Sequence, residues 1–411
     1  MSAAISESVT IEDLELARER LKGVVKPTPL IHSATLSRML DAEVYLKPEN
    51  LQKTGSFKIR GAYNRIAALT PAEAARGTVA ASAGNHGQAL AWAASRAGVR
   101  ATIVMPATAA IAKIDATRSY GQTVQLAGTD YLEAHRAAEE ICARTGALFV
   151  DAYDDPFVIA GQGTVGLEIA DELMPDFVLV PVGGGGLIAG VALALAARAP
   201  RAKLIGVEAA GSAQLSLSLG QGVPSTVPTA VDTIADGLAT GRVGRLPFEI
   251  VRNRLDRVVT VDDFEIGEAV LLMLERMKLL AEGAGAAALA GALKLGGVMA
   301  GRRVVIVVSG GNIDVNLLDR IIGHGLAKAG RLMRLMVEMR DRPGELGRLL
   351  AVIGELGANV HAIQHDRTRR DVRIGGARVT LELETRGPDH IQRIREALTA
   401  HGHRILVEAE N

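Results

Sequence analysis

A single cysteine, Cys142, excludes an internal disulfide, and its surroundings, AEEICARTG, read as a helix rather than a set of metal ligands. Aromatic residues make up only 3% of the chain against 48% apolar residues in all, so the core must be built from Ala, Val, Leu and Ile with many close contacts at glycine. Neither sign of charge is in excess, with Lys plus Arg at 46 and Asp plus Glu at 46. No global field then draws the protein to nucleic acid or to an anionic membrane, and a small-molecule partner is expected. No apolar run reaches the roughly 20 residues that a bilayer crossing needs, and no basic-then-apolar leader precedes IEDLELARERLKGVV, so a soluble, cytoplasmic protein is expected. His401 and His403 straddle one glycine without further ligands at diagnostic spacing, so no metal site is expected. A G-x-S-x-G or paired Ser/His/Asp signature is also missing.

What is present is alternation. From Val44 to Ser309 the β-rich runs VYLK, TVAAS, ATIVMP, TVQLAG, ALFVDAY, FVLVPV, KLIGVEA, RVVTV and RVVIVVS alternate with amphipathic stretches, which implies parallel strands joined by helical crossovers. FVLVPV and VVIVVS are apolar throughout, as strands buried on both faces are, and their carboxyl ends should face a ligand crevice. Asp155 with Pro156, and Thr70 with Pro71, are expected to open helices. After Gly325 the pattern changes to LMRLMVEM, DRPGELGRLLAVIGELG, ANVHAIQHD, ARVTLELET, PDHIQRIREALTAHG and HRILVE. That βαββαβ order belongs to the ferredoxin-like α+β class. The boundary is expected near LAKAGR, dividing residues 1–328 from 329–411, since 411 residues exceed one ordinary core.

Four segments carry chemistry. KTGSFKIRGA sets Lys58 among small residues at a helix start, with Phe57 available to lie near a flat ring. A surface lysine followed by Arg60 is ordinarily a solvated charge, but in an apolar cleft such a lysine loses its proton and becomes an amine nucleophile that forms Schiff bases. PVGGGG, Pro181 to Gly186, follows a buried strand and leads into the helix LIAGVALALAARA, so backbone N–H groups and the helix dipole converge as a phosphate cradle. A tight turn with positive φ angles requires fewer glycines than Gly183, Gly184, Gly185 and Gly186 supply. AASAGNHGQALAWAA places Ser82, Asn85 and His86 at a strand-to-helix turn suited to an anion, where Ser82 or Asn85 could equally be a helix cap and His86 a hydrogen-bonded core residue. VVSGGN brings Ser309 to the end of another buried strand.

A rival class shares this ground. Gly184, Gly186 and Ala189 satisfy G-x-G-x-x-A between a strand and a helix, with Glu208 ending the next strand, which is a dinucleotide-binding pattern of an NAD-linked oxidoreductase. That reading leaves Lys58, Asn85 and Ser309 without roles. A second match, GQGTVG from Gly161 to Gly166, falls inside the helix opened by Asp155, where close helix packing explains it.

Taken in order, SFKIRG, SAGNHGQ, AGQGT, PVGGGG, TIADG, ERMKLL and SGGN resemble the threonine and serine dehydratase family of pyridoxal phosphate enzymes, and the tail resembles an ACT regulatory domain. The resemblance implies an α/β fold of the PLP fold type II, tryptophan synthase β-like, with a two-subdomain parallel-sheet catalytic unit. It implies that Lys58 holds pyridoxal 5'-phosphate covalently, that Phe57 packs against its ring and that Asn85 bonds its phenolic oxygen. Gly183, Gly184, Gly185, Gly186 and Leu187 would hold the phosphate through backbone donors, and Ser309 would partner the pyridine nitrogen. Ser82, Asn85 and His86 would receive the substrate carboxylate. Ala83 stands where similar racemases carry a serine, so racemisation should be poor. Gln214 stands where they carry a metal-site aspartate, which leaves Glu208 either near a cation or satisfied at the surface. Glu282 matches a cofactor-proximal glutamate, with a solvated helix-end charge as the equal reading.

The activity so implied is deamination of L-threonine, with L-serine as the nearest alternative, because the difference is room for one methyl group. RDRPGELGRLL matches the effector-loop pattern of ACT domains, with Gly344 at its turn, so isoleucine or valine is the expected effector and a homo-oligomer, dimer or tetramer, the expected assembly. A dimerisation module without ligand, and a catalytically silent amino-acid sensor, are the alternatives.

Overall fold

The computed structural model describes residues 8–227, 233–368 and 372–408. The chain divides into two units, Met1–Asp314 and Val315–Asn411. The helix Val315–Lys328 therefore groups with the second unit, whereas the sequence reading put the boundary after it.

The first unit carries two sheets. The larger runs in the order Ile31–His32, Glu43–Pro48, Arg303–Val308, Phe177–Pro181, Lys203–Ala209, Leu255–Val261, and is parallel except where the first two strands pair. The smaller runs Thr123–Leu126, Ala101–Met105, Thr78–Ala81, Leu148–Phe149, and is parallel throughout. Phe177–Pro181 is buried along its whole length and Arg303–Val308 at all but its first residue, which is why both read as unbroken apolar runs. Of ALFVDAY only Leu148–Phe149 pairs as strand, because Asp151 turns the chain two residues later.

Helices cover the sheets, and glycines set how closely they pack. The helix Pro156–Glu172 is capped by Asp155, whose carboxylate accepts from Phe157 and Val158 N, as the Asp-Pro pair foretells. It lies against the helix Gly186–Arg198 so closely that a Cβ on Gly190 would stand 2.4 Å from Gly163 N. GQGTVG is thus a helix-packing surface and not a phosphate loop. The helix Pro71–Arg76 opens with a full capping box between Thr70 and Glu73.

A buried ionic group anchors the helix Lys58–Ala67. Arg60, fully buried, pairs with Glu49 at 2.7 Å and Glu168 at 2.6 Å, and Glu168 also takes Lys47 Nζ at 2.6 Å. Thr28 completes the group, donating to Glu49 and accepting Lys47 on its carbonyl. Two cations thereby meet two carboxylates, and neither charge is left unpaired inside the protein.

The second unit is a four-stranded antiparallel sheet, Asn359–Asp366, Gly376–Glu384, Leu332–Arg340, Arg404–Glu408, with the helices Glu345–Glu355 and Pro388–Ala400. The βαββαβ order is the one expected. Leu335, Val337, Val379 and Leu381 from two strands, and Leu349, Ile353, Ile394 and Leu398 from the helices, form its core.

Candidate active site

The lysine segment is held against the end of the central strand. Ser56 bridges Gly310, and Phe57 N donates to Ser309 O at 3.1 Å, so SFK and SGG meet although some 250 residues separate them. Thr54 and Gly55 both adopt positive φ, 61° and 73°, to make the turn that admits this pairing. Lys58 then starts its helix with the amine inside the crevice, 5.2 Å from the centre of the Phe57 ring and 2.8 Å from Ala152 O, to which it donates. Burial lowers its pKa to about 8, and the charges of Asp151 and Glu282 pull the other way. A lysine so placed has far more neutral amine near physiological pH than a solvated lysine.

The tetraglycine bend follows the strand Phe177–Pro181. Gly185 takes φ +93°, and a Cβ on Gly184 would stand 2.2 Å from the ring of Tyr153. Side chains are excluded there by Tyr153 on one side and Leu238 and Pro247 on the others, so the bend offers only backbone groups. The helix Gly186–Arg198 has no side-chain cap, and its buried first residues, through Leu187, leave the positive end of its dipole to an anion.

Around Lys58 the remaining segments close in. The helix Asn85–Ala97 also lacks a side-chain cap, and its N-cap is Gly84, so neither Ser82 nor Asn85 caps it. Ser82 Oγ instead accepts from Gly84 N at 3.2 Å. Asn85 Nδ2 donates to Glu282 Oε1 at 2.6 Å, and Asn85 Oδ1 accepts from Asn312 Nδ2 at 2.7 Å. Glu282 is buried rather than a solvated helix end, and burial, then the charge of Asp236, raises its pKa to about 7. Ser309 is buried and donates to Ala284 O at 3.3 Å.

His86 lies near Lys58 but makes its bond outside this network. Its Nε2 lies 3.0 Å from Val150 O, its Nδ1 has no partner among the described residues, and burial lowers its pKa to about 4. The ring is therefore neutral, with the proton on Nε2. Glu208 is likewise engaged: its carboxylate accepts from Leu215 N at 2.6 Å and from Ser216 N and Oγ at 2.9 and 2.7 Å. From the end of its strand, buried and not at the surface, it anchors the start of the helix Gln214–Gln221, which leaves the dinucleotide reading without its ribose ligand. Gln214 donates to Leu238 O at 3.0 Å and accepts from Ser212. Among the described residues no cluster of three or more metal-ligating side chains occurs, and no helix is long and apolar enough to cross a membrane.

Several residues escaped the sequence reading. Asn312 stood in its motif without a role, and the bond that joins Glu282 to Asn85 was not foreseen; Tyr153 and Asp154 follow a strand whose end carried no motif. Lys113 pairs with Asp236 at 2.5 Å, tying the helix Ile111–Arg118 to the TIADG segment.

The residues present fit pyridoxal phosphate, because a half-buried amine of lowered pKa bonds Ala152 O, and the next residue, Tyr153, packs on a side-chain-free bend at a helix start. The family described as "Pyridoxal-phosphate dependent enzyme" matches residues 21–310, and the ACT domain family matches residues 333–402. The chain belongs to the pyridoxal-phosphate-dependent enzyme family. It is 48% identical over 401 residues to an L-threonine ammonia-lyase of Thermotoga maritima, a match that covers 97% of this chain and 99% of that one. Among solved structures it is similar to the processed form of threonine deaminase isoform 2 from Solanum lycopersicum, with TM-score 0.72, 36% identity, and 77% of this chain and 89% of that chain covered. Maize serine racemase is similar as well, with TM-score 0.73, 34% identity, and 78% and 99% covered. The expected fold of the catalytic unit and the ACT tail are both borne out.

Proposed function

We propose that this chain is an L-threonine ammonia-lyase that converts L-threonine to 2-oxobutanoate and ammonia, with L-serine accepted more weakly. The observation that carries the reading is the nearly full-length likeness to the L-threonine ammonia-lyase of Thermotoga maritima, on a chain with a half-buried amine of lowered pKa at Lys58.

Lys58, Phe57, Asn85, the run Gly183 to Gly186, Leu187 and Ser309 would hold the cofactor. When bound, pyridoxal phosphate supplies an electron sink beside the substrate α-carbon, which acidifies the α C–H bond and lets a β-substituent leave. The Lys58 amine is the base that takes the α-proton, and the Ala152 carbonyl holds its N–H. Ser82 and the uncapped first turn at Asn85 and His86 seat the substrate carboxylate through backbone donors, with the neutral His86 ring as part of the wall. Ser309 presents a hydroxyl, which favours rapid β-loss over transamination because it fixes no positive charge beside the ring. Ala83 supplies no acid on the second face, so racemisation is poor. The β-hydroxyl leaves as water and water is taken up again at the α-carbon, so threonine becomes the 2-oxo acid and ammonia without net hydration.

The tail, residues 329–411, is read as a regulatory ACT domain of a cytoplasmic homo-oligomer that binds isoleucine or valine and makes this the first step of isoleucine formation. Gly344, at φ +86° before the helix Glu345–Glu355, offers uncapped backbone donors for such an effector. A steady-state assay of oxo-acid formation from threonine and from serine, with and without isoleucine, tests the reading. Turnover of threonine above serine, reduced by isoleucine, is expected. No oxo acid from either substrate sinks the enzymatic claim, and no effect of either aliphatic amino acid sinks the regulatory one.

A further inference from the structure

The turn Asp151–Asp154 touches Lys58, the glycine bend and the helix Arg245–Val251. Asp151 Oδ1 accepts from Tyr153 N at 2.9 Å and from Asp154 N at 2.7 Å. This closure leaves the intervening carbonyl, that of Ala152, 2.8 Å from Lys58 Nζ. The following residues fix the turn from outside. Tyr153 lies against Gly184 and Gly186 of the bend. Asp154 accepts from Arg245 N and Leu246 N, both at 2.9 Å, at the start of the helix Arg245–Val251. Asp155 pairs with Arg65 of the lysine's own helix at 3.1 Å. A backbone carbonyl accepts a hydrogen bond and takes no proton at these pH values, so its effect on an amine is directional. Holding one N–H restricts the nitrogen lone pair of the neutral amine to the two remaining staggered directions.

We propose that Asp151 is a positioning residue for Lys58: by closing the turn that carries the Ala152 carbonyl, it holds the amine in the direction from which it reacts. The inference rests on the proposed function only in taking Lys58 as the reacting amine. The carboxylate has a second, separable effect through its charge. Burial lowers the Lys58 pKa, and Asp151 from the turn and Glu282 from the start of the helix Gly283–Leu295 oppose it. His86, from the helix Asn85–Ala97, is neutral and adds no charge of its own.

Asp151→Asn keeps an acceptor oxygen for the turn and removes the charge; Asp151→Ala removes both. The full-length holoenzyme of each variant is compared with wild type in kcat and KM for threonine and in the pH titration of the visible band of lysine-bound cofactor. Asp151→Ala is expected to lose about tenfold or more in kcat with KM within about threefold, as misplacement of a reacting group does, and Asp151→Asn to regain most of that kcat. Both should move the band's midpoint to lower pH, since both lose the negative charge. If Asp151→Ala fails to fold, Asp151→Ser, whose hydroxyl closes such a turn more weakly, is judged by the same criteria. Wild-type kcat in Asp151→Ala, or equal losses in the alanine and asparagine variants, overturns the positioning role. A wild type that shows the band but makes no 2-oxobutanoate refutes the substrate instead, and the asparagine–alanine difference in the rate of borohydride trapping still decides the role of Asp151.

Discussion

Asn312 Nδ2 donates to both Thr54 O and Asn85 Oδ1, each at 2.7 Å, and so decides which way the Asn85 amide faces. With its oxygen claimed, Asn85 presents its NH2 group to Glu282 and to the crevice. One N–H is left, which the proposed function would give to the cofactor's phenolic oxygen. The three segments KTG, SAGN and SGGN are thereby locked through one side chain.

Asn312→Asp cannot donate to either carbonyl oxygen, and the new charge faces two acceptors. Cofactor affinity is expected to fall about tenfold or more, further than in Asn312→Ala, as measured by titrating the apoenzyme with pyridoxal phosphate. Equal affinity in wild type and Asn312→Asp would show that the Asn85 orientation does not depend on this bond.

Gly184→Ala puts a methyl group 2.2 Å from the Tyr153 ring. Overpacking of this kind costs about 1–3 kcal/mol, so a lowered denaturation midpoint is expected, together with loss of cofactor on gel filtration because the bend is displaced. Tyr153→Ala in the same chain should restore part of the stability. A double variant no more stable than Gly184→Ala would mean that the strain lies in the backbone and not against the ring.

Much of this was legible in the sequence, for identifiable reasons. Strands such as Phe177–Pro181 are buried on both faces and must be apolar whatever surrounds them. Helix starts at Thr70 and Asp155 are local chemistry, and so was the glycine bend, where the absence of side chains is itself the signal. What could not be read were pairings between side chains far apart in the chain. Nothing near Asn312 announces Asn85, and Glu282 could be solvated or buried until its neighbours are known. The Asp-rich turn at 151–155 reads as a helix cap, and only the fold shows that its other carboxylates serve the crevice.

Glu282 links the site to pH. Burial first, then Asp236, raises its pKa from 4.5 to about 7 in the folded protein. A group raised in this way contributes stability that is complete below its unfolded pKa and is lost as pH rises through the folded value. Over this gap the loss is about 3 kcal/mol. Glu282→Gln cannot ionise, so its stability relative to wild type should increase between about pH 5 and about pH 8, as read from urea midpoints. A difference that stays constant over that range would contradict a buried, neutral carboxyl.

The central claim is that the ε-amine of Lys58 captures the cofactor, and borohydride reduction of the purified holoenzyme followed by peptide mass mapping tests it most directly. The pyridoxyl mass is expected on Lys58, with the visible band lost on reduction and absent from Lys58→Ala. A label on any other lysine, or an unlabelled protein that retains its visible band, would contradict the account.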